Sequence, residues 1–209
     1  LAAPLVAHLP KGATLIATSV ISPFMVPLKI LLMSAFLLAL PFVLWQVWAF
    51  VAPGLYSHEK KLVLPLVVSS TVLFFIGVAF CYYFVFGQVF AFIQSFAPKS
   101  ITAAPDIEAY LSFVLSMFLA FGLAFEVPIA VVVLARMGVV SIEKLKNFRG
   151  YFIVIAFVIA AIVTPPDVVS QLALAVPMCI LYEIGIWAAQ LFIKHTKAPN
   201  AAEEETASS

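Results

Sequence analysis

The sequence predicts an all-α, polytopic membrane helix bundle, and three observations support that fold class. Of the 209 residues, 65% are hydrophobic, and the mean hydropathy is +1.17. Only 10% are charged, whereas a soluble domain carries about 25% charged residues. The apolar residues also form runs of about 20 residues, which is the length of a membrane-spanning helix. One aqueous core cannot bury so much apolar surface, so we expect an integral membrane protein.

Five apolar segments are predicted to form spans, over residues 26–49, 62–90, 107–134, 149–163 and 168–192. Residues 1–192 are predicted to form a single transmembrane helical domain. Residues 193–209 form a polar, acidic C-terminal tail that we expect to be disordered. No internal repeat is visible in the sequence.

The fourth segment is short for a span. An uncharged helix over residues 151–163 would be about 20 Å long, whereas the hydrocarbon core is about 30 Å thick. The tight link TPPD at 164–167 favours an antiparallel hairpin with the next helix, which Asp167 is placed to cap. Asp106 is a candidate N-cap for the third span, with Glu108 in its first turn.

The positions of lysine and arginine predict the orientation in the membrane. Eight of them fall on one side of the predicted spans and three on the other. The positive-inside rule places the richer side in the cytoplasm, together with the C-terminus. Five spans would leave Leu1 outside, so a further span before Leu1 is expected, giving six. The eight residues are Lys60, Lys61, Arg136, Lys144, Lys146, Arg149, Lys194 and Lys197, and the three are Lys11, Lys29 and Lys99.

Catalysis is not expected. The three histidines, His8, His58 and His195, lie outside the predicted spans, and no metalloprotease, serine hydrolase or nucleotide-binding motif occurs. Cys81 and Cys179 lie within apolar runs and are predicted to be small buried apolar residues. No cofactor or metal is implied.

Glu126 is the strongest polar signal within a span. It lies in the sequence FEVP, two residues before Pro128. A carboxyl group in the membrane usually faces a protein interior or a wet cavity, and proline can kink the helix. Together they predict a polar concavity within the membrane. The alternative is a neutral Glu126 that forms a hydrogen bond with a neighbouring helix.

Four further residues carry weaker signals. Glu183 is predicted either to stabilise a partner or to act within the bundle. Thr164 and Gln171 could form hydrogen bonds with another protein's helix, or equally within this chain. Lys29 is expected to extend its ammonium group to the outer membrane surface.

The sequence AFVAPGLYSHEKK at 49–61 connects the first two spans and contains one carboxylate, Glu59. Glu59 could be a solvated charge paired with Lys60 or Lys61. It could instead bind a cationic ligand such as an arginine side chain, whose guanidinium matches a carboxylate at two points.

Several long stretches closely resemble the TatC family, the multi-spanning subunits of the twin-arginine protein translocase. The resemblance covers about residues 4–192. Its stretches are ATSVISPFMVPLK (17–29), PFVLWQVWAFVAPGLY (41–56), YLSFVLSMFLAFGLAFEVP (110–128) and TPPDVVSQLALAVPMCILYEIG (164–185), with the loop at 49–61. The resemblance implies a concave, glove-like bundle of six spans with two short final helices.

The resemblance also implies residue roles. It implies that Phe50, Pro53 and Glu59 bind the twin-arginine signal peptide, and that Glu126 faces the intramembrane cavity. It implies that Thr164 and Gln171 form a polar site for the single-span partners TatA and TatB. Pro4, Asp167 and Glu183 are further candidate functional residues.

The function expected from this resemblance is the export of folded proteins across the bacterial cytoplasmic (inner) membrane. The chain would recognise twin-arginine signal peptides and act with TatA and TatB in an oligomeric complex driven by the proton gradient, with no cofactor. The alternative is a proton-coupled secondary transporter or channel that uses Glu126.

Overall fold

The structure is a computed structural model that describes residues 16–51, 63–96, 106–164 and 167–194. Over these residues the chain is all-α, as predicted, apart from one isolated β-bridge between Ile16 and Asp106. The helices are α1 (Ser22–Val51), α2 (Val63–Phe80), a π-helical turn (Cys81–Val85), α3 (Phe86–Phe96), α4 (Ile107–Ala124), α5 (Val127–Arg136), α6 (Ile142–Asn147), α7 (Arg149–Val163) and α8 (Val168–Lys194).

Four helical stretches are long and apolar enough to cross a membrane. They are Ser22–Val51, Leu64–Phe92, Ile107–Arg136 and Val168–Leu191, and Arg149–Val163 is a shorter apolar helix. All five agree with the predicted segments to within a few residues. The helices alternate in direction, so α1 and α4 begin at one end of the bundle, called here the Ser22 end. The opposite end, where α1 and α5 finish, is called the Val51 end.

Helix packing places α4 and α8 at the centre. α4 packs on α2, α5 and α7 both pack on α8, and α1 packs mainly on α2. The largest apolar cluster lies between the middle helices, the π-helical turn and α8. Its fully buried side chains include Phe86, Met117, Phe121 and Leu174.

Three glycines allow close approach of helices in this centre. A Cβ on Gly77 would lie 2.5 Å from the Phe121 carbonyl oxygen, and one on Gly122 would meet the Phe74 ring at 2.4 Å. A Cβ on Gly185 would lie 2.9 Å from Cα of Pro128. Small residues of this kind let helix backbones approach within a membrane.

The short fourth segment is confirmed, but the expectation of two short final helices is wrong, because α8 has 27 residues. α7 has 15 residues, about 22 Å of helix. Ala156 and Ala160, one turn apart, are its buried residues. Its remaining apolar side chains are largely exposed, so α7 is held along one narrow stripe against α8.

Two interruptions divide the longer spans. The second span changes from α-helix to a π-helical turn over Cys81–Val85, a feature that was not predicted. The third span breaks between Ala124 and Val127, at the predicted Glu126–Pro128 position. Both interruptions lie inside apolar sequence.

Candidate functional site

Pro128 accounts for the break in the third span. Proline has no backbone N–H, so the carbonyl of Ala124 loses its regular helical donor. The backbone tightens instead, and the Glu126 N–H donates to the Leu123 carbonyl at 3.1 Å. α5 then begins at Val127, with Glu126 as its N-cap residue and Pro128 in its first turn. The helix is interrupted next to Pro128, where the sequence predicted a disturbance, and Glu126 lies at the junction of the two helices.

The carboxyl group of Glu126 is shielded by protein. Both of its oxygens are buried and lack a hydrogen-bond partner among the described residues. The Ser70 hydroxyl of α2 lies near the carboxyl group, but the geometry is not that of a hydrogen bond. Ser70 is itself fully buried and accepts the indole N–H of Trp48 at 2.9 Å. The polar groups of Trp48, Ser70 and Glu126 therefore follow one another from α1 through α2 to the break in the third span.

A buried carboxyl group in this position is costly, because no donor among the described residues compensates for its lost hydration. It can accept a hydrogen bond from an incoming donor, hold a proton, or attract a cation. The α5–α8 contact fixes the position from the other side, since Gly185 lies directly against Pro128. The backbone of α5 next to Glu126 is therefore held in place by α8.

The outer polar residues of the α7–α8 hairpin form hydrogen bonds within the chain. The Thr164 hydroxyl donates to the Ala160 carbonyl at 2.8 Å, and the Gln171 amide donates to the Phe157 carbonyl at 3.2 Å. Thr164 is buried and Gln171 is half-buried. One of the two predicted alternatives, bonds within this chain, is thus present for both residues.

Asp167 caps α8, as predicted. Its Oδ2 accepts the backbone N–H of Ser170 at 2.6 Å. Its other carboxylate oxygen, Oδ1, is buried without a partner among the described residues. The cap fixes the start of α8 immediately after the turn.

Glu183 lies at the opposite end of the same hairpin and binds Arg149. Nε of Arg149 lies 2.7 Å from Oε1 of Glu183, and Nη2 donates to Oε2 at 2.7 Å. The neighbouring Tyr182 stacks on Phe152 with ring centroids 4.1 Å apart, and its hydroxyl donates to the Leu145 carbonyl at 2.9 Å. These contacts join α6, α7 and α8.

The predicted signal-binding residues are only partly described. Phe50 lies in the last turn of α1 and is 87% exposed. Pro53 and Glu59 lie outside the described residues, as do Pro4 and most of the tail from 193 to 209. The structure therefore brings Glu126 together with Ser70 and Trp48, and leaves Phe50 separate from them at the Val51 end.

A charged group at the Ser22 end was not predicted as a unit. Lys29 lies 3.0 Å from Glu108 Oε1 and 2.9 Å from the Ser112 hydroxyl, while the Ser22 hydroxyl donates to Glu108 Oε2 at 2.7 Å. The ammonium group thus has protein partners, and the Lys29 side chain remains 34% exposed. Opposite charges near the same ends of two spans were the signal in the sequence that could have identified this pair.

Asp106 caps α4, as predicted. Its Oδ1 accepts the Glu108 N–H at 3.0 Å, and its Oδ2 accepts the Thr18 hydroxyl at 2.6 Å. The Thr18 bond, with the smaller contribution of the Glu108 bond, lowers the pKa of Asp106 below its usual value. The Ile107 N–H also donates to the Ile16 carbonyl at 2.9 Å. The segment before α1 is thereby tied to the start of α4.

Within the part of the chain that the structure describes, no three His, Cys, Asp or Glu residues cluster closely enough to hold a metal ion. Cys81 is buried and Cys179 is half-buried, both as free thiols. The prediction that both are buried is confirmed for Cys81, whereas Cys179 is only partly buried.

A protein-family model described as Sec-independent protein translocase protein (TatC) matches residues 1–177. A TatC from Halothiobacillus neapolitanus is 54% identical over 98% of this chain, and the match covers 56% of that relative. The Escherichia coli K12 TatC is 50% identical over 91% of this chain and 74% of its own length. The chain therefore spans about half the length of the first relative and about three quarters of the second.

A solved structure agrees with these relatives. A crystal structure described as that of the twin-arginine translocase receptor TatC superposes with a TM-score of 0.80 and 42% sequence identity. The match covers 91% of this chain and 83% of the crystallised one. The proton-coupled transporter or channel, the alternative function, receives no support from any of these matches. The fold, the apolar spans and the matched sequences together establish that the chain is a membrane protein of the TatC family.

Proposed function

We propose that the protein is the subunit of a twin-arginine translocase that binds the signal peptide and, with TatA and TatB, exports folded proteins using the proton gradient. The observation that carries this proposal is the shared fold and 42% identity with a structure described as a twin-arginine translocase receptor. The proposed mechanism is recognition and assembly, with no covalent step and no cofactor. The proposed location is the bacterial cytoplasmic membrane.

The Val51 end is proposed to face the cytoplasm. Arg136, Lys144, Lys146 and Arg149 all lie at or near this end, whereas Lys29 lies towards the Ser22 end. Basic residues are retained on the cytoplasmic side of membrane proteins. The Val51 end is also where the loop that contains Glu59 leaves α1.

Phe50, Pro53 and Glu59 are proposed to bind the twin-arginine motif. The exposed ring of Phe50 offers an apolar surface at the end of α1. Glu59 follows nine residues later in the sequence, and its carboxylate can form a bidentate pair with one guanidinium. Lysine cannot reproduce that planar two-point contact, so the proposal predicts discrimination between the two basic residues.

The apolar part of the signal is proposed to lie along the bundle. A groove with a volume of about 380 Å³ runs between the second span and α8, bounded by Phe80, Phe84, Val169 and Val176, with Gln88 as its polar member. Phe80 also packs on Phe125, the residue before Glu126, with ring centroids 5.7 Å apart. A helix seated there would come near the polar cavity proposed around Glu126.

The partner helices of TatA and TatB are proposed to bind at Thr164 and Gln171. The internal bond of Gln171 uses one amide N–H, and the amide oxygen can accept a further hydrogen bond. The exposed apolar face of α7 lies beside this position. Pro4, Asp167 and Glu183 are proposed to support the same assembly, Asp167 by capping α8 and Glu183 by fixing the opposite end of the hairpin.

The test uses the full-length protein in membranes, with a photo-crosslinking residue at Ser57, two positions before Glu59. Signal peptides with two arginines or two lysines are then offered in parallel. We expect an adduct with the arginine peptide only, and we expect Glu59→Ala to abolish it. Equal adducts with both peptides would contradict the proposed role of Glu59.

A matched control separates the role of Glu59 from that of any carboxylate at this end. Glu143, in the first turn of α6, is also exposed near the Val51 end. Glu143→Ala should leave the adduct with the arginine peptide unchanged. If both substitutions reduce it equally, general electrostatic attraction explains the binding and the assignment to Glu59 fails.

A further inference from the structure

α1 divides into two parts that are held by different kinds of contact. From Leu40 to Val51, which we call the anchored segment, Leu40, Leu44 and Trp48 are buried in an apolar cluster. From Ser22 to Ala39, which we call the distal segment, Ser22 is the one buried residue. Met33, Phe36 and Leu37 are only partly buried. The distal segment therefore has little apolar packing.

Polar contacts join the distal segment to α4. Two side chains of the segment, Ser22 and Lys29, bind the same Glu108 carboxylate at 2.7 and 3.0 Å. They are seven residues apart, about two helical turns. Lys29 also donates to Ser112, whose hydroxyl donates in turn to the Glu108 carbonyl at 2.8 Å. One carboxylate thus receives donors from two levels of the same helix.

Pro41 lies at the boundary between the two segments. It is inside α1, one residue after Leu40, the first buried residue of the anchored segment. Proline removes the hydrogen bond to the carbonyl four residues earlier, that of Leu37, and helices bend most easily at such positions. The weakest point of the helical backbone therefore coincides with the change from apolar to polar attachment.

We propose that Lys29, Glu108 and Ser112 form a latch that holds the distal segment against α4, and that Pro41 is the hinge about which this segment pivots when the latch opens. Lipid tails are as apolar as the exposed side chains of the distal segment, so the hydrophobic effect does not draw the segment back to the bundle. The latch determines how closely α1 approaches α4 at the Ser22 end. This device does not depend on the proposed transport function.

Distance measurements between spin labels test the proposal in lipid nanodiscs. With Cys81 and Cys179 replaced by alanine, one pair of labels is placed at Phe24→Cys and Leu119→Cys. The control pair is Val47→Cys and Leu119→Cys, which reports on the anchored segment. Phe24 lies about 25 Å along the helix from Pro41, so a pivot of about ten degrees moves its label by about 4 Å.

Lys29→Met and Glu108→Gln are each expected to broaden or shift the Phe24–Leu119 distribution by this amount and to leave the Val47–Leu119 distribution unchanged. The double variant should change the distribution by less than the sum of the two single effects, because both substitutions remove the Lys29–Glu108 contact. An unchanged Phe24 pair, an equal change in both pairs, or a double effect equal to the sum would overturn the latch. Ser112→Ala keeps the ion pair and should give a smaller change in the same direction, so the test survives if a charge variant fails to fold.

A second substitution tests the hinge. In the Lys29→Met background, Pro41→Leu restores the backbone N–H and is expected to narrow the Phe24–Leu119 distribution again. Pro27→Leu is the matched control, because Pro27 lies inside the distal segment and not at its boundary. If Pro27→Leu narrows the distribution as much, or if Pro41→Leu leaves it broad, Pro41 is not the hinge.

Discussion

The guanidinium of Arg149 contacts both carboxylate oxygens of Glu183 at 2.7 Å, and so joins the first residue of α7 to the second half of α8. Both side chains are more than 40% exposed, so solvent screens the pair. The Ala156 and Ala160 stripe contributes little area to the α7–α8 contact. This pair and the Phe152–Tyr182 stack therefore fix the Val51 end of the hairpin.

A double-mutant cycle measures the coupling energy between Arg149 and Glu183. We expect Arg149→Gln and Glu183→Gln each to lower the free energy of unfolding, with a coupling of about 0.5–1 kcal/mol because the contact is bidentate but exposed. Thermal unfolding of the detergent-solubilised protein provides the measurement. Strictly additive effects would show that the two side chains act separately.

We expect the Glu126 side chain to lower the stability of the folded protein and to be needed for export. Glu126→Met keeps an unbranched side chain and removes two unpartnered buried oxygens, so we expect the free energy of unfolding to rise by about 1–3 kcal/mol. Export of a twin-arginine reporter protein should fall. The exposed Glu143, changed to Met as a control, should alter stability by less than about 0.5 kcal/mol. A lower melting temperature for Glu126→Met would refute this explanation.

Gly185, the one glycine of α8, is predicted to tolerate a larger side chain poorly. An added Cβ would meet Cα of Pro128 at 2.9 Å and Cβ of Val131 at 3.0 Å. Since backbone cannot move aside as a flexible side chain can, we expect Gly185→Ala to lower stability by about 1–3 kcal/mol.

Gly150 provides the matched comparison, because nothing lies within 4 Å of its added Cβ. Gly150→Ala should be neutral or stabilising by up to about 1 kcal/mol, since alanine favours helix. Both variants are compared by thermal unfolding in the same detergent. Equal effects of the two substitutions would rule out the close α5–α8 contact as the cause.

The lowered pKa of Asp106 predicts that the free energy of unfolding decreases in acid. Hydrogen bonds lower its pKa in the folded protein, so its contribution is present above the unfolded pKa of about 3.9 and is lost as the pH falls through the lower folded value. Thr18→Val removes the largest cause of the shift. Melting temperatures between pH 6 and pH 3 should therefore fall less steeply in Thr18→Val than in the parent protein. Parallel curves would exclude Asp106 as the source.

Hydropathy predicted the spans because membrane insertion depends on the composition of a segment. It could not predict which spans lie inside the bundle. The best windows of α1 and of the third span have mean hydropathies of 2.2 and 2.4, yet 6% of the first and 50% of the second are buried by protein. Lipid and protein interior are both apolar, so residues that face either solvent look the same in the sequence.

Helix breaks and helix caps could be predicted from the sequence, because they depend on residues close to one another in the chain. Pro128 predicted the break in the third span, and Asp106 and Asp167 predicted helix caps, because each acts within one turn of its own position. The partners of Lys29 and Arg149 are 79 and 34 residues away, so they depend on the packing of whole helices. The proposed roles of Phe50, Pro53 and Glu59 rest on family resemblance, because charge and exposure alone do not identify a ligand.

The uneven burial of the spans has a consequence for biosynthesis. α1 needs little from its neighbours, so we expect it to be stable in the bilayer as soon as the translocon releases it. The third span is different, because α8 supplies the surface that covers α5 and closes against Pro128. Between the release of the third span and the synthesis of α8, the nascent chain would be inserted but not yet assembled, with the Pro128 face of α5 still uncovered.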